Sequence, residues 1–347
     1  MLDKAVYDRI MAALNFEEGD RVPIWDYIDN RAVYRYFADD EPDYLKGMVK
    51  VYHGLGIDLC RGFGASFDES QEGERGENWM ISGMTRWVTK RPINSIEDLK
   101  RYQPHELTEE EVGGWLQHQR AMQRAFEPYT MWVPGAGCGF DATYMLMGLE
   151  LFSYAIYEAR EHLERIMWTL SENGAKLARA AAKEKLSPIF FTWSDIAYKD
   201  KLMASPEFLR QTFIPCLRKV VEPLKEAGIK VIFHSDGNVM EILDEMIEAG
   251  IDGLNPIEPL AGMDIGYLKR RYYGRLILVG NVDCSQLLPL GRPEEVVEAV
   301  KECIRVASPG GGHLIGSSSE ILPATPLENV LIFYDAIKRY GRYPIRL

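Results

Sequence analysis

The stretch Lys230-Val231-Ile232-Phe233-His234-Ser235-Asp236-Gly237-Asn238 decides the fold. Its apolar run is what a strand buried on both faces looks like, and it ends abruptly in ionisable and turn-forming residues. A helix-like segment over 239–249 follows, closed by Gly250. Working outward, the same pattern recurs, with predicted strands at 22–27, 57–63, 130–134, 189–193, 230–234, 253–256, 276–280 and 313–316. Helices are predicted over 3–15, 43–54, 142–158, 160–184, 205–228, 239–249, 264–272, 293–306 and 326–340. A β-then-α rhythm of this kind predicts an α/β protein with a parallel sheet, here a distorted (β/α)8 TIM barrel forming a single domain over 1–347. An N-terminal helix precedes it, and an inserted hairpin and loop region over 66–110 interrupts it above the barrel mouth. Strand C-termini converge on that mouth, so residues distant in sequence become neighbours there.

Composition narrows the function. A net charge of −12 and a pI near 5.2 disfavour nucleic acid and anionic membrane as partners, which need clustered Lys and Arg. The five cysteines are scattered, odd in number and free of CxxC spacing, as expected in a reducing compartment. With neither a signal peptide nor an apolar run long enough to span a bilayer, the expected location is cytoplasmic.

Alternation places His234 and Asp236 on one side of the chain as it leaves the barrel. Neutral imidazole and carboxylate are both zinc ligands. Glu258, after the sixth strand, and Glu320, after the eighth, complete a candidate metal set of His234, Asp236, Glu258 and Glu320. A plainer reading stays open beside it: Asp236-Gly237-Asn238 also makes a turn and helix cap, and His234 also suits a core. Asp195, after the fourth strand, is a further candidate catalytic carboxylate beside His234 and Asp236. Asn281 and Asp283 end the seventh strand and are expected to orient metal ligands or meet a cofactor. Gly135, Gly137 and Gly139 lack the spacing of a phosphate-binding loop, and Gly137 instead offers backbone room for a bulky cofactor. Gly310-Gly311-Gly312 reads as a turn, the apolar residues of 144–168 as core, and Cys138 and Cys284 as weak candidate nucleophiles.

Several segments together resemble the uroporphyrinogen decarboxylase superfamily: Asp20-Arg21-Val22-Pro23, Ser194-Asp195-Ile196-Ala197, His234-Ser235-Asp236-Gly237-Asn238, Gly280-Asn281-Val282-Asp283, Thr325-Pro326-Leu327-Glu328-Asn329 and Gly341-Arg342-Tyr343-Pro344. The resemblance implies a distorted barrel with one of two activities. Decarboxylases grip a polyanionic tetrapyrrole with an Arg-Gln-Ala-Gly-Arg-Tyr segment; the matching place here reads Ile-Trp-Asp-Tyr-Ile-Asp-Asn-Arg, which lacks the first arginine and adds carboxylates. The other branch holds zinc- and corrinoid-dependent methyltransferases, whose thiol-methylating members carry His-x-Cys and a later Cys. Asp236 stands at the first Cys position and Ser319, beside Glu320, at the second. Loss of both thiolates favours a harder site facing oxygen. The implied reaction moves a methyl group from a methoxylated, aromatic substrate to the Co(I) of a corrinoid on a partner protein, with zinc polarising the ether oxygen. Trp25, Tyr27 and Phe63 are the expected aromatic walls, and a homodimer is among the assemblies open to it. The alternatives are a metal-free lyase anchored by Asp195 or Asp26, and a non-catalytic corrinoid- or ligand-binding barrel.

Overall fold

The strands lie where the apolar runs end in turn residues. Residues 1–64, 75–82 and 85–347 are described by the structure, a computed structural model. In chain order the strands are β1 (Trp25–Ile28), β2 (Leu59–Phe63), β3 (Trp79–Ser82), β4 (Thr85–Val88), β5 (Met131–Trp132), β6 (Gly135–Gly137), β7 (Ile189–Trp193), β8 (Ala197–Tyr198), β9 (Lys201–Leu202), β10 (Lys230–His234), β11 (Gly253–Asn255), β12 (Ile277–Val279) and β13 (His313–Leu314). All barrel pairings are parallel, in two runs ordered β1-β2-β5 and β6-β7-β10-β11-β12-β13. The segment read as one strand over 130–134 is a broken stave: β5 pairs with β2, and β6, beyond Val133-Pro134, pairs with β7. Parallel bridges Ile24–Ile315 and Ile28–Ile321 close the ring. The (β/α)8 expectation holds.

The inserted region forms an antiparallel hairpin, β3–β4, followed by helices Ile96–Arg101 and Glu109–Phe126. The remainder of the expected loop, 65–74 and 83–84, lies outside the described residues. The sequence reading missed the helix Arg31–Ala38, which Asn30 caps by accepting the Val33 amide at 3.0 Å. It also missed the small β8–β9 hairpin. The helix read over 205–228 starts at Pro206, with Ser205 as its cap, and includes a π-helical turn at Leu209–Phe213.

Period-two alternation sorts the barrel side chains into two cores. Ile189, Phe191 and Trp193 of β7, Ile232 of β10, and Ile277 and Val279 of β12 belong to the inner one. Phe190, Val231 and Phe233 face the helical shell. His234 continues the inward column of Ile232 and emerges at the mouth. At the opposite end, where strands begin, helix Lys4–Leu14 seals the barrel with Val6, Ile10, Ala13 and Leu14. Asp3 starts that helix by accepting the Ala5 and Val6 amides.

His313 is fully buried, with Nε2 2.8 Å from the Gly280 carbonyl and Nδ1 2.9 Å from Ser308 Oγ. Burial pushes its pKa from 6.5 to about 3. Between those values the unfolded chain takes up a proton that the folded chain refuses, so this residue removes stability as pH falls. Denaturation midpoints of the wild type are therefore expected to drop below pH 6.5. His313→Gln, less stable at pH 7, should show a shallower drop over the same range.

Candidate active site

His234 lies between Trp193 of β7 and Asn255 of β11 in the sheet register. Its Nδ1 is 2.8 Å from Asn255 Oδ1, a group that can only accept, so Nδ1 carries the proton and Nε2 is left with its lone pair. Nε2 faces two carboxylates, 3.7 Å from Asp195 Oδ1 and 3.9 Å from Asp236 Oδ1. One ligand atom from each of the three residues lies within 4.8 Å of the others. Burial, then the charge of Arg61, pushes His234 down to about 4, which keeps the imidazole neutral near pH 7. Burial, then Asp195 and Glu258, pushes Asp236 up to about 7. Its Oδ1 is buried with no hydrogen-bond partner. Neutral imidazole, converging carboxyl groups and an orphaned carboxyl oxygen are what a divalent cation satisfies.

The loops that hold this cluster follow from local sequence. Asp195 Oδ1 also accepts the Asp236 amide at 3.1 Å, tying the ends of β7 and β10 together. Ser235 Oγ accepts the Ile196 amide at 3.0 Å. Gly237 adopts φ +80°, and a Cβ there would come within 2.8 Å of the Ala197 carbonyl carbon. Gly237→Ala is expected to cost about 1–3 kcal/mol. Gly228→Ala, also at positive φ but with open space around it, should cost less; thermal melts of the two variants check this.

The other predicted residues divide. Glu258 is outside the three-residue cluster: its Oε2 accepts the Gly237 amide at 2.9 Å, so it braces the turn bearing Asp236. Glu320 stands apart too, where burial and Asp29 raise its pKa and where its charge reaches the Tyr27 phenol. Asp283 accepts the Ser285, Gln286 and Leu287 amides at 3.1, 2.9 and 2.7 Å, and so caps the short helix Leu287–Leu290 instead of supporting a ligand. Asn281 lines a surface groove with Pro259, Met263 and Cys303. Gly137 belongs to β6; its Cβ would lie 3.3 Å from Trp193 Nε1, so glycine there makes room for an indole. Cys138 and Cys284 are buried with raised thiol pKa values, the reverse of an activated nucleophile.

Among the expected aromatic walls, only Tyr27 reaches the mouth. Trp25 is 2% exposed inside the barrel, its ring 5.8 Å from Phe191. Phe63 is turned outward by a β-bulge: Asp26 pairs with Cys60 but Ile28 pairs with Phe63, so Arg61 and Gly62 together oppose Tyr27. Its ring packs among Tyr44, Phe126 and Trp132. Asp26, the candidate lyase anchor, is 2% exposed and accepts bonds from the Ser317 amide and hydroxyl and the Tyr334 hydroxyl at 3.0, 2.7 and 2.8 Å. It staples the ring closure and has no face toward a substrate. Residues the sequence reading passed over are Asn255, Arg61, Phe191 and Tyr144, whose phenol is raised by burial and then by Asp195 and Asp141.

The family model described as uroporphyrinogen decarboxylase (URO-D) matches residues 79–340. The chain belongs to the URO-D family. Among its relatives, the methylcobamide:CoM methyltransferase MtbA of Methanosarcina acetivorans is 24% identical, over 73% of this chain and 71% of its own. A uroporphyrinogen decarboxylase of Coxiella burnetii is also 24% identical, over 73% of this chain and 70% of its own. The solved structure of a methyltransferase from Methanosarcina mazei superposes with a TM-score of 0.71 at 22% identity, covering 96% of this chain and 98% of the other. That likeness is one of fold. Among the described residues no helix is long and apolar enough to cross a membrane.

Proposed function

We propose that this URO-D family member is a methyltransferase, moving a methyl group from a methoxylated aromatic substrate to the Co(I) of a corrinoid carried by a partner protein. Asp195, His234 and Asp236 are the residues that would hold zinc. The observation that carries this reading is the free Nε2 of a neutral His234 facing two carboxylates, one with a buried and partnerless oxygen. Zinc and corrinoid, when bound, supply Lewis acidity toward an ether oxygen and a methyl-accepting nucleophile. The chain's own residues do the rest. Asn255 fixes the imidazole tautomer. Phe191, with its ring 5.6 Å from His234 and 5.9 Å from Trp193, offers an apolar floor beside the cluster.

Methyltransferase and decarboxylase relatives are equally similar in sequence, so the site must separate them. Asp195, Asp236, Glu258 and Glu320 make an acidic mouth, which repels a tetrapyrrole carrying several carboxylates. The absence of thiolates leaves nitrogen and oxygen donors, suited to an oxygen-bearing substrate. The test is incubation with reduced cobalamin and a panel of methoxylated aromatics. Spectra should show methylcobalamin forming with the wild type. Carbon dioxide release from a carboxylated substrate without methylcobalamin would overturn the reading.

A further inference from the structure

The barrel ring has a seam at its active-site end. β5 is the part of the broken stave that reaches β2, while β6 pairs with β7 alone among the described residues. Beyond Val133-Pro134 the stave therefore has a free edge, and its residues there, Gly135, Ala136 and Gly137, carry at most a methyl group. Glycine inside a strand marks close approach, and two approaches meet here. From inside, the Trp193 indole lies across the edge: a Cβ would be 3.1 Å from its ring at Gly135 and 3.3 Å from its Nε1 at Gly137. From outside, helix Arg160–Glu184 packs so closely that a Cβ on Gly174 would collide with the Gly137 carbonyl oxygen.

A crevice of about 330 Å³ follows this edge in from the surface, within the size range of small-molecule sites. Trp115, Leu170 and Leu177 line its helical side, Asp141 borders it, and Trp193 is its inner wall. The same indole belongs to the barrel interior, 5.9 Å from the Phe191 ring, which in turn lies 5.6 Å from that of His234. Asp141 accepts the Ser194 hydroxyl at 2.7 Å, one residue before Asp195. Residues 193–195 thus run from the crevice wall to the cluster. Nothing among the described residues hydrogen-bonds to the Trp193 indole N–H. Packing alone holds the ring, over a glycine edge that leaves it room to turn.

We propose that this crevice is a side entrance to the barrel, gated by the Trp193 indole, through which a single aromatic ring reaches and leaves the site. Its walls suit that traffic: flat or aliphatic side chains on one face, bare glycine backbone on the other, and an indole on which a ring can stack as it passes. The site gains an independent route. A corrinoid on its partner protein covers the mouth when it collects the methyl group, and a ring held behind it has no path out on that side. With the seam open, the ring loads and leaves whether or not the mouth is covered. The inference rests on the methyltransferase reading for the identity of the traffic, while the route itself is read without methyl transfer.

The test is fluorine NMR of 4-fluoro-2-methoxyphenol, read as the rate at which bound and free ring exchange. It is run with and without saturating hydroxocobalamin, which covers the mouth and accepts no methyl cation. Leu177→Trp fills the crevice from its helical wall, and Leu170→Trp, seven residues earlier on the same helix face, is a second closing variant; circular dichroism and melting confirm folding. In the wild type, cobalamin should change the exchange rate by no more than about 2-fold. In a closing variant, cobalamin should slow exchange about 10-fold or more, because both routes are then shut. The same response to cobalamin in the wild type and in both folded variants, whether fast or slow, would overturn the entrance. A cobalamin response confined to the closing variants, with no methylcobalamin formed in the reduced assay, would instead sink the methyltransferase reading alone.

Discussion

His234→Ala is expected to reduce methyl transfer by about 1,000-fold or more, because Lewis-acid activation of the ether is worth several kcal/mol and each 1.4 kcal/mol is tenfold. The fold should survive the change. His234 is at the end of its strand, and the backbone bonds that the Ser194 amide donates to its carbonyl and the Ser235 amide donates to the Asn255 carbonyl do not use the imidazole. Asn255→Ala should produce a smaller loss, about 10–100-fold, since it removes the acceptor that fixes the ring and not the ring itself. Turnover measured for both variants, with circular dichroism to confirm folding, separates the two roles. Unchanged turnover in His234→Ala would remove the strand-end cluster from the mechanism.

The second large effect is on stability and lies at the other end of the barrel. The Asp58 side chain, 2% exposed, meets Arg9 at 2.6 Å and Arg21 at 2.7 Å, and also accepts the Ile24 amide at 2.7 Å. It therefore ties the N-terminal helix, the approach to β1 and the start of β2 into one knot. Arg9 and Arg21 are themselves only 10% and 15% exposed. Asp58→Ala leaves two guanidinium groups partly buried without their shared counter-charge, and removing one partner of such a pair costs about 3–5 kcal/mol. Arg9 keeps Asp20 at 2.6 Å, which softens the loss on that side. Urea unfolding should show a clearly lower midpoint for Asp58→Ala, whereas Lys100→Ala, which breaks only an exposed pair with Glu97, should barely move it.

Much of the architecture was legible because strands buried on both faces must be apolar and must end where the chain turns. The strand bounds Ile189–Trp193 and Lys230–His234 follow from that constraint alone. His234 and Asp236 were legible for the same reason, since ionisable residues at the end of such a strand have few places to go other than the mouth. The remainder depended on geometry that sequence does not display. Counting by twos from Leu59 puts Phe63 inward, but the bulge at Arg61-Gly62 shifts the count by one, turning Phe63 outward and leaving Arg61 at the site. Asp195 reads in the sequence as a catalytic carboxylate outside the candidate metal set, and the Asp236 amide, donating to its Oδ1, draws it into the cluster. Glu258 reads in sequence as a metal ligand and Asp283 as a residue that orients one, yet Glu258 accepts the Gly237 amide and Asp283 three amides of its own turn, a demand visible only once the loops are folded. Gly137 looked like space for a cofactor and proved to be space for Trp193.

The most direct test of the central claim is the zinc content of protein purified without chelator or affinity tag, measured beside His234→Ala, Asp195→Ala and Glu320→Ala. About one zinc per chain is expected in the wild type, lost in the His234 and Asp195 variants and retained in Glu320→Ala. Zinc retained at full stoichiometry in His234→Ala, or no zinc in the wild type even after incubation with excess metal, would contradict it.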